Sequence, residues 1–484
     1  MGLFGILLGL GLMIGLAYRG WSILLLAPVA ALVAAAFSAE PLLAHWTQTF
    51  MTSAAGFFAQ FFPLFLLGAL FGKLMDDSGS VTAIADFMTE KLGPERATLA
   101  VVLAGALVTY GGVSLFVAFF VLAPMAVALF RAANVPRRLM PAAIALGTST
   151  FTMSALPGTP SIQNAIPMPF FGTTPFAAPG LGIIASVIML GFGMWWLKRA
   201  EERARRTGEG FGDEPDAVET SPADDLLVRE RATVAREFDP AELSRGEHSP
   251  THPPIALAML PLAIVIVVNL LMSQVVLPSL DVSFLAEERW GETTLAGVGG
   301  VWSVVTALLA AIAAVVAINH RRLPALRDTM DAGANASVLP AVSVASLVGF
   351  GAVVAALPAF AAVRDALLAM EGGPLVSLAV ATNVLAALTG SASGGMTIAL
   401  DALGEIYKTM ALDAGIDPAL MHRVAVISSG TLDSLPHNGA VVTLLAVCGA
   451  SHRESYLDIV MVAIVGALIA LVAVIAIGSV AGAF

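Results

Sequence analysis

Apolar residues run through this chain in long unbroken blocks. They do not alternate as in a half-buried strand, nor form the one-sided stripe of a surface helix. Blocks at 2–18, 21–37, 54–74, 139–156 and 176–197 recur at 254–276, 294–318, 335–358, 420–447 and 456–480. About 20 apolar residues is the length a helix needs to cross a hydrocarbon core, so each block predicts a spanning helix. Two further apolar stretches are interrupted. Residues 97–130 break at Tyr110-Gly111-Gly112, and residues 374–400 break at Gly390-Ser391-Ala392-Ser393-Gly394-Gly395. Their arms are short for a full crossing, and each is expected to enter and leave on one side as a re-entrant hairpin. The expected class is an all-α polytopic membrane protein.

The blocks fall into two sets of five spans, each with a hairpin between its third and fourth spans. The divisions are a first repeat at 1–197, a charged linker at 198–253 and a second repeat at 254–484. An odd number of crossings inverts the second half relative to the first, and inverted repeats with paired broken helices mark secondary transporters. Short matches support the repeat. Thr109 precedes Pro157 as Thr389 precedes Pro436, and Leu139-Met140 and Leu420-Met421 open equivalent spans. With the linker placed in the cytoplasm, only Arg289, Arg364, Lys408 and Arg423 of the 24 Lys and Arg fall outside, as the positive-inside rule requires. Both termini are then expected to be periplasmic or extracellular, in a cell inner membrane.

Composition narrows the classes. Of 484 residues, 58% are hydrophobic and 12% charged, against about 25% charged in a soluble domain. That excludes a soluble enzyme and a disordered chain. Continuous rather than alternating apolar runs exclude a membrane barrel. The single cysteine, Cys448, rules out an internal disulfide and reads as a small buried apolar residue. No phosphate-binding loop appears, His252, His320, His422 and His437 show no metal spacing, and no nucleophile and base stand together, so no cofactor and no enzymatic role are expected. The basic run Lys198, Arg199, Arg203, Arg205, Arg206 follows a span directly; topology and lipid headgroups explain it better than nucleic acid.

Four polar places broken by Gly or Pro lie at membrane depth: Thr109 to Ser114, Gly147 to Asn164, Thr389 to Gly395 and Ser428 to Gly439. Irregular backbone survives in a bilayer only beside protein or a water-filled cavity. Helix N-termini exposed there suit an anion, unwound carbonyls suit a cation, and Ser and Thr hydroxyls complete either. The candidate substrate ligands are Ser391, Ser393, Gly394, Gly395, Thr148, Ser149, Gly111, Gly112, Ser114, Gln163, Asn164, Ser429, Thr431 and Asn438. The competing reading is that these small residues only let helices pack closely. Asp433 and His437 are the candidate proton-coupling pair, because ionisable groups inside a membrane are costly. His422 and Arg423 lie near the outer end of their span; a snorkelling anchor is expected, with attraction of an anion as the alternative.

Two motifs carry a resemblance. Thr152-Met153-Ser154-Ala155-Leu156-Pro157-Gly158-Thr159-Pro160-Ser161-Ile162-Gln163-Asn164-Ala165-Ile166-Pro167 and Ser428-Ser429-Gly430-Thr431-Leu432-Asp433-Ser434-Leu435-Pro436-His437-Asn438-Gly439-Ala440 resemble signatures of the GntP permeases, within the ion-transporter superfamily. The resemblance implies symport of a small organic acid anion, gluconate or a short hydroxy acid such as hydroxybutyrate, usually with protons, by a homodimer. Gluconate-type members carry a histidine- and proline-rich segment where this chain has Leu156-Pro157-Gly158-Thr159-Pro160, which favours a smaller monocarboxylate. Sodium coupling, and a channel or cation/proton antiporter without organic substrate, are the other transport readings of the same residues.

Overall fold

The computed structural model describes residues 1–17, 19, 21–212, 246–368, 370, 372–436 and 438–484. Among these residues there is no strand. In the first half the helices are α1 (Gly2–Ala17), α2 (Ile23–Phe37), α3 (Leu42–Asp77), α4 (Ser80–Leu92), α5 (Ala97–Tyr110), α6 (Leu115–Ala132), α7 (Met140–Thr148), α8 (Phe151–Ser154), α9 (Ile162–Ala165), α10 (Pro167–Phe171) and α11 (Pro179–Thr207). The second half follows with α12 (Ile255–Ser279), α13 (Leu295–Asn319), α14 (Leu326–Ala356), α15 (Phe360–Leu368), α16 (Gly373–Thr389), α17 (Ala392–Asp413), α18 (Pro418–Ser429), α19 (Gly439–Val447) and α20 (His452–Ala481). Seven of them, α3, α6, α11, α12, α13, α14 and α20, are long and apolar enough to cross a membrane.

Side-chain caps mark where several elements begin. Ser114 accepts from the Phe116 N–H at the start of α6, and Ser391 from Gly394 N–H at the start of α17. Asn438 accepts from the N–H groups of Ala440 and Val441 at the start of α19, and Ser451 with Glu454 forms a capping box at the start of α20. Each cap satisfies donors that a helix end otherwise leaves orphaned. The two interrupted stretches form packed helix pairs, α5 with α6 and α16 with α17, though α6, at 18 residues, is itself long and apolar enough to cross a membrane. Their tips turn at Gly112 (φ +101°) and Gly390 (φ +65°), a region costly for side-chain-bearing residues. The arms of the second hairpin pack so closely that a Cβ on Gly395 would run into the backbone of Ala386.

Packing sorts the helices into two groups. α3 lies against α13 and α14, α2 against α14, and α12 against α13. The hairpins pack on the broken spans, α5 on α7 and α16 on α18, with α11 and α20 paired alongside, while α17 also lies against α14 of the first group. The expected span at 139–156 is interrupted between α7 and α8. The one at 420–447 is split into α18, a 3₁₀ turn at Leu432–Ser434, and α19.

Three expectations change. α1 and α2 have 16 and 15 residues, about 24 and 22 Å of helix, short of the roughly 30 Å hydrocarbon thickness; they pack on each other as a pair. The polar residues after Asp77 form a further helix, α4, joined to α5 through a bend of 100°. α17 runs on to Asp413, 22 residues in all, because Asp401, Glu405 and Lys408 continue its helix on a polar face beyond the apolar stretch.

The C-terminal end of the charged linker is tied to the first half. Lys73 and Asp77, both fully buried, pair at 2.8 Å. His248 Nδ1 lies 2.6 Å from Asp77 Oδ1, and its Nε2 lies 3.7 Å from Asp76 Oδ2. Thr329 of α14 donates to Asp77 Oδ2 at 2.6 Å, and the Ser249 N–H to the Asp77 carbonyl at 2.8 Å. Asp76, Asp77 and His248 cluster as three metal ligands would, yet Lys73 already holds the Asp77 oxygen that faces His248. The hydrogen bond to Asp77, with the charges of both carboxylates, raises the His248 pKa above its ordinary 6.5. A raised histidine contributes stability fully present below about pH 6.5 and lost as pH climbs through the raised value. The melting temperature of the detergent-solubilised chain should therefore fall by about 1–2 °C from pH 6 to pH 9 in excess of the fall in His248→Asn, the scale of one half-exposed ion pair. Parallel curves for the two proteins would remove His248 from the account.

Candidate functional site

The four interrupted places meet. They line a cavity of about 270 Å³ between the two groups of helices. From the first hairpin come Thr109, Gly112 and Ser114; from the first broken span, Ser149, Ser154, Ser161 and Gln163. The second hairpin adds Thr389, Gly390, Ser391 and Ser393, and the second broken span Gly430, Asp433, Ser434 and Asn438. α3 and α14 close the other side, with Phe65, Ser337 and Ser343 among their contributions.

Backbone accounting shapes this wall. Three helices of nine residues or more begin at it: α6 at Ser114, α17 at Ser391 and α19 at Asn438. Helix starts present N–H groups and the positive end of the helix dipole. Each broken span is also tied to the hairpin of its own half. Tyr110 OH donates to the Pro157 carbonyl, and Asn438 Nδ2 to the Gly390 carbonyl, both at 2.8 Å. Asn438 thus caps α19 and holds the hairpin tip at once. Among the described residues the lining carries a single charged side chain, Asp433, which is half-buried and accepts from Ser434 Oγ at 3.1 Å. Ser343 Oγ and Gln163 Oε1 are buried at the wall with no hydrogen-bond partner among the described residues.

Of the predicted ligands, Ser391, Ser393, Ser149, Gly112, Ser114, Gln163 and Asn438 line the cavity, as does Asp433. The others lie behind it. Thr148 is fully buried and donates to the Ile144 carbonyl. Ser429 donates to the Val426 carbonyl, and Thr431 contacts Asn383 and the Ser428 carbonyl. Gly394 gives its N–H to the Ser391 cap, Gly395 serves the close packing of the hairpin, and Gly111 abuts Leu262 of α12. Asn164 donates to the carbonyls of Thr159 and Pro175, both at 3.0 Å, which braces the unwound stretch. His437 lies outside the described residues. Ser154, Ser161, Ser343 and Ser434 were not singled out. Ser154 stands three residues before Pro157 as Asp433 stands three before Pro436, a usable signal; Ser343 sits in an apolar span with nothing in the pattern to mark it.

His422 and Arg423 are not an exposed anchor. Both are fully buried, because α18 is packed between α16 and α20 rather than facing lipid. His422 Nδ1 meets Thr173 Oγ1 at 2.6 Å and its Nε2 meets Asn164 Oδ1 at 3.2 Å. The Asn164 amide nitrogen is already committed, so Nε2 donates here and a neutral ring accepts from Thr173. Arg423 reaches the carbonyls of Ala155 and Ala177.

Asn438 bears two duties, so its loss should show. Asn438→Ala removes the cap and the tie to Gly390, and should lower the melting temperature by about 2–4 °C, more than Tyr110→Phe. An Asn438→Ala protein that melts with the wild type would contradict this geometry.

Comparison with known proteins adds three likenesses. Residues 12–300 match the model of a family described as CitMHS, citrate transporter. The whole chain is 41% identical over 490 residues to an uncharacterized transporter, YxjC, of Bacillus subtilis (strain 168), with full coverage of both. The fold is similar to the crystal structure of the YdaH transporter of Alcanivorax borkumensis, described as having an unusual topology. The TM-score is 0.51 at 15% identity, over 90% of this chain and 89% of that one.

Proposed function

The chain belongs to the CitMHS citrate-transporter family and is a multi-pass membrane transporter, and on that premise we propose that it carries a small organic acid anion together with a cation through the cavity between its four broken segments. The observation that carries this reading is the wall itself: three helix N-termini and a ring of hydroxyls around a space whose only charged lining group, among the described residues, is Asp433. About 270 Å³ suits a small solute rather than a drug-sized one. The family match favours a citrate-like hydroxy-polycarboxylate over the gluconate and hydroxybutyrate that the GntP resemblance implies; those sugar and hydroxy acids remain the alternative substrates.

An anion beside Asp433 meets like charge unless a cation neutralises one of the two. A proton on Asp433 does this most simply, and makes Asp433 the coupling residue of a symporter. Sodium is the second reading, favoured by oxygen-rich surroundings just behind the wall. Asn383 and Thr431 touch there beside the Ser428 carbonyl, and the hydroxyls of Thr382 and Ser428 have no partner. Hard cations take such oxygen ligands. An antiporter without organic substrate is the third reading.

The same reading takes the two halves as inverted repeats, 1–197 and 254–484, joined by a cytoplasmic linker in an inner-membrane homodimer. Each half ties its hairpin to its own broken span, Tyr110 to Pro157 and Asn438 to Gly390, with the donor on the hairpin in the first and on the broken span in the second, which supports the repeat in outline.

Uptake of labelled citrate into proteoliposomes is expected to rise with an inward proton gradient, and Asp433→Asn should lower gradient-driven accumulation at least tenfold while citrate exchange persists. Uptake driven by a sodium jump at fixed pH would select the second reading. Gradient-driven accumulation by Asp433→Asn equal to wild type would exclude Asp433 from coupling.

A further inference from the structure

Arg423 is the largest fully buried side chain among the described residues. Two Lys or Arg side chains are fully buried there, Lys73 and Arg423. Lys73 is paired with Asp77. Among the described residues Arg423 has no carboxylate partner; its Nη1 donates to the Ala155 carbonyl at 3.1 Å, and its Nε and Nη2 donate to the Ala177 carbonyl at 3.1 and 2.6 Å. These carbonyls bound the unwound stretch of the first half, and α18, which carries Arg423, belongs to the second. The guanidinium therefore fastens the two halves together beside the cavity.

Carbonyl dipoles take up three of the five guanidinium N–H groups but do not cancel the charge. A buried cation without a counter-ion is unfavourable, and its field reaches further in protein than in water. Ala155 directly follows Ser154, which lines the cavity, and Ser154 in turn abuts Gly430, just past the end of the helix that carries Arg423. Gly182 of α11 lies against the guanidinium, with room for no side chain between them. Of the open spaces near Arg423, the cavity is the one reached through Ala155 and Ser154, and it is the larger of the two that flank this stretch.

We propose that Arg423 is the specificity-determining charge of this transporter: a positioning residue that does not touch the substrate, holds the unwound stretch in place, and lends the cavity the positive field that selects an anion. The inference rests on the anion-transport reading above. It explains how a wall with no basic side chain among its described residues favours anions over neutral solutes of the same size. The bound anion completes the neutralisation of Arg423, so affinity depends on substrate charge as well as shape.

The test uses the full chain in proteoliposomes, with labelled citrate uptake and competition by citrate, malate and lactate. Arg423→Gln should raise the apparent KM by about tenfold for the monocarboxylate and more for each added charge, with Vmax changed less than threefold. Arg423→Lys keeps the charge but gives up the two-carbonyl fork, and should restore most of the affinity. A citrate KM unchanged in Arg423→Gln overturns the inference. So does a loss equal for all three acids, or an Arg423→Lys protein as impaired as Arg423→Gln, since each marks a purely structural clamp. If Arg423→Gln does not fold, Arg423→Lys decides alone: a KM near wild type supports the inference and a tenfold rise overturns it. Wild-type vesicles that neither take up citrate nor respond to any competitor overturn the transport reading itself, a separate result from failure of the variants.

Discussion

Every peptide group placed in a bilayer must find its hydrogen bond within the protein or in water held by it. That constraint explains why the interruptions of this chain are not scattered. The tips at Gly112 and Gly390 and the breaks after Thr148 and Ser429 would each strand N–H and C=O groups if they faced lipid. Brought together, they satisfy one another: Asn438 bonds the Gly390 carbonyl, Tyr110 that of Pro157, and Arg423 those of Ala155 and Ala177. The starts of α6, α17 and α19, where Ser114, Ser391 and Asn438 cap only part of the first turn's N–H groups, form the surface of a cavity. The site is the place where the accounting of backbone polarity remains open.

From this follows the charge pattern. The lining is hydroxyls and helix ends, with Asp433 as its single described charge, while the buried positive charge of Arg423 is set one layer behind. A basic side chain on the wall would bind an anion tightly and release it slowly. Dipoles and a recessed charge give attraction without a direct ion pair, which suits a carrier that must let go on the other side. Further out, the Lys73, Asp76, Asp77 and His248 cluster joins the linker end to α3 and α14, so the polar connection between the halves is fastened where it meets the scaffold.

Much of the fold was legible in the sequence because bilayer thickness imposes a length on apolar runs. The blocks at 254–276 and 294–318 correspond to α12 and α13 within a few residues, and both hairpins break where Gly clusters interrupt them. Length arguments fail where a helix is short or packed by protein on all sides. α1 and α2 are apolar throughout but end short of a full crossing length, and α4 carries no apolar block because it is amphipathic. Arg423 was misplaced for a related reason. A basic residue near a span end snorkels when the helix faces lipid, and nothing local reveals that α18 is enclosed, or that carbonyls more than 240 positions away receive it. For the candidate site, residue type and breakage located the four segments, but which face of each segment meets the cavity is set by packing; Thr148 and Ser149 are neighbours with opposite fates. The motif resemblance reached the transporter class, since Pro- and Gly-broken spans serve a shared architecture, while the family came from similarity spread over the chain.

The central claim is that a carboxylate is held where the N-termini of α6, α17 and α19 converge, without a direct basic partner. A structure of the purified chain with bound citrate tests it most directly. The account predicts ligand density between Ser114, Ser391 and Asn438, with carboxylate oxygens on backbone N–H groups and hydroxyls, and Arg423 still on the carbonyls of Ala155 and Ala177. Citrate bound elsewhere, or ion-paired directly to Arg423 or another basic side chain, would contradict it.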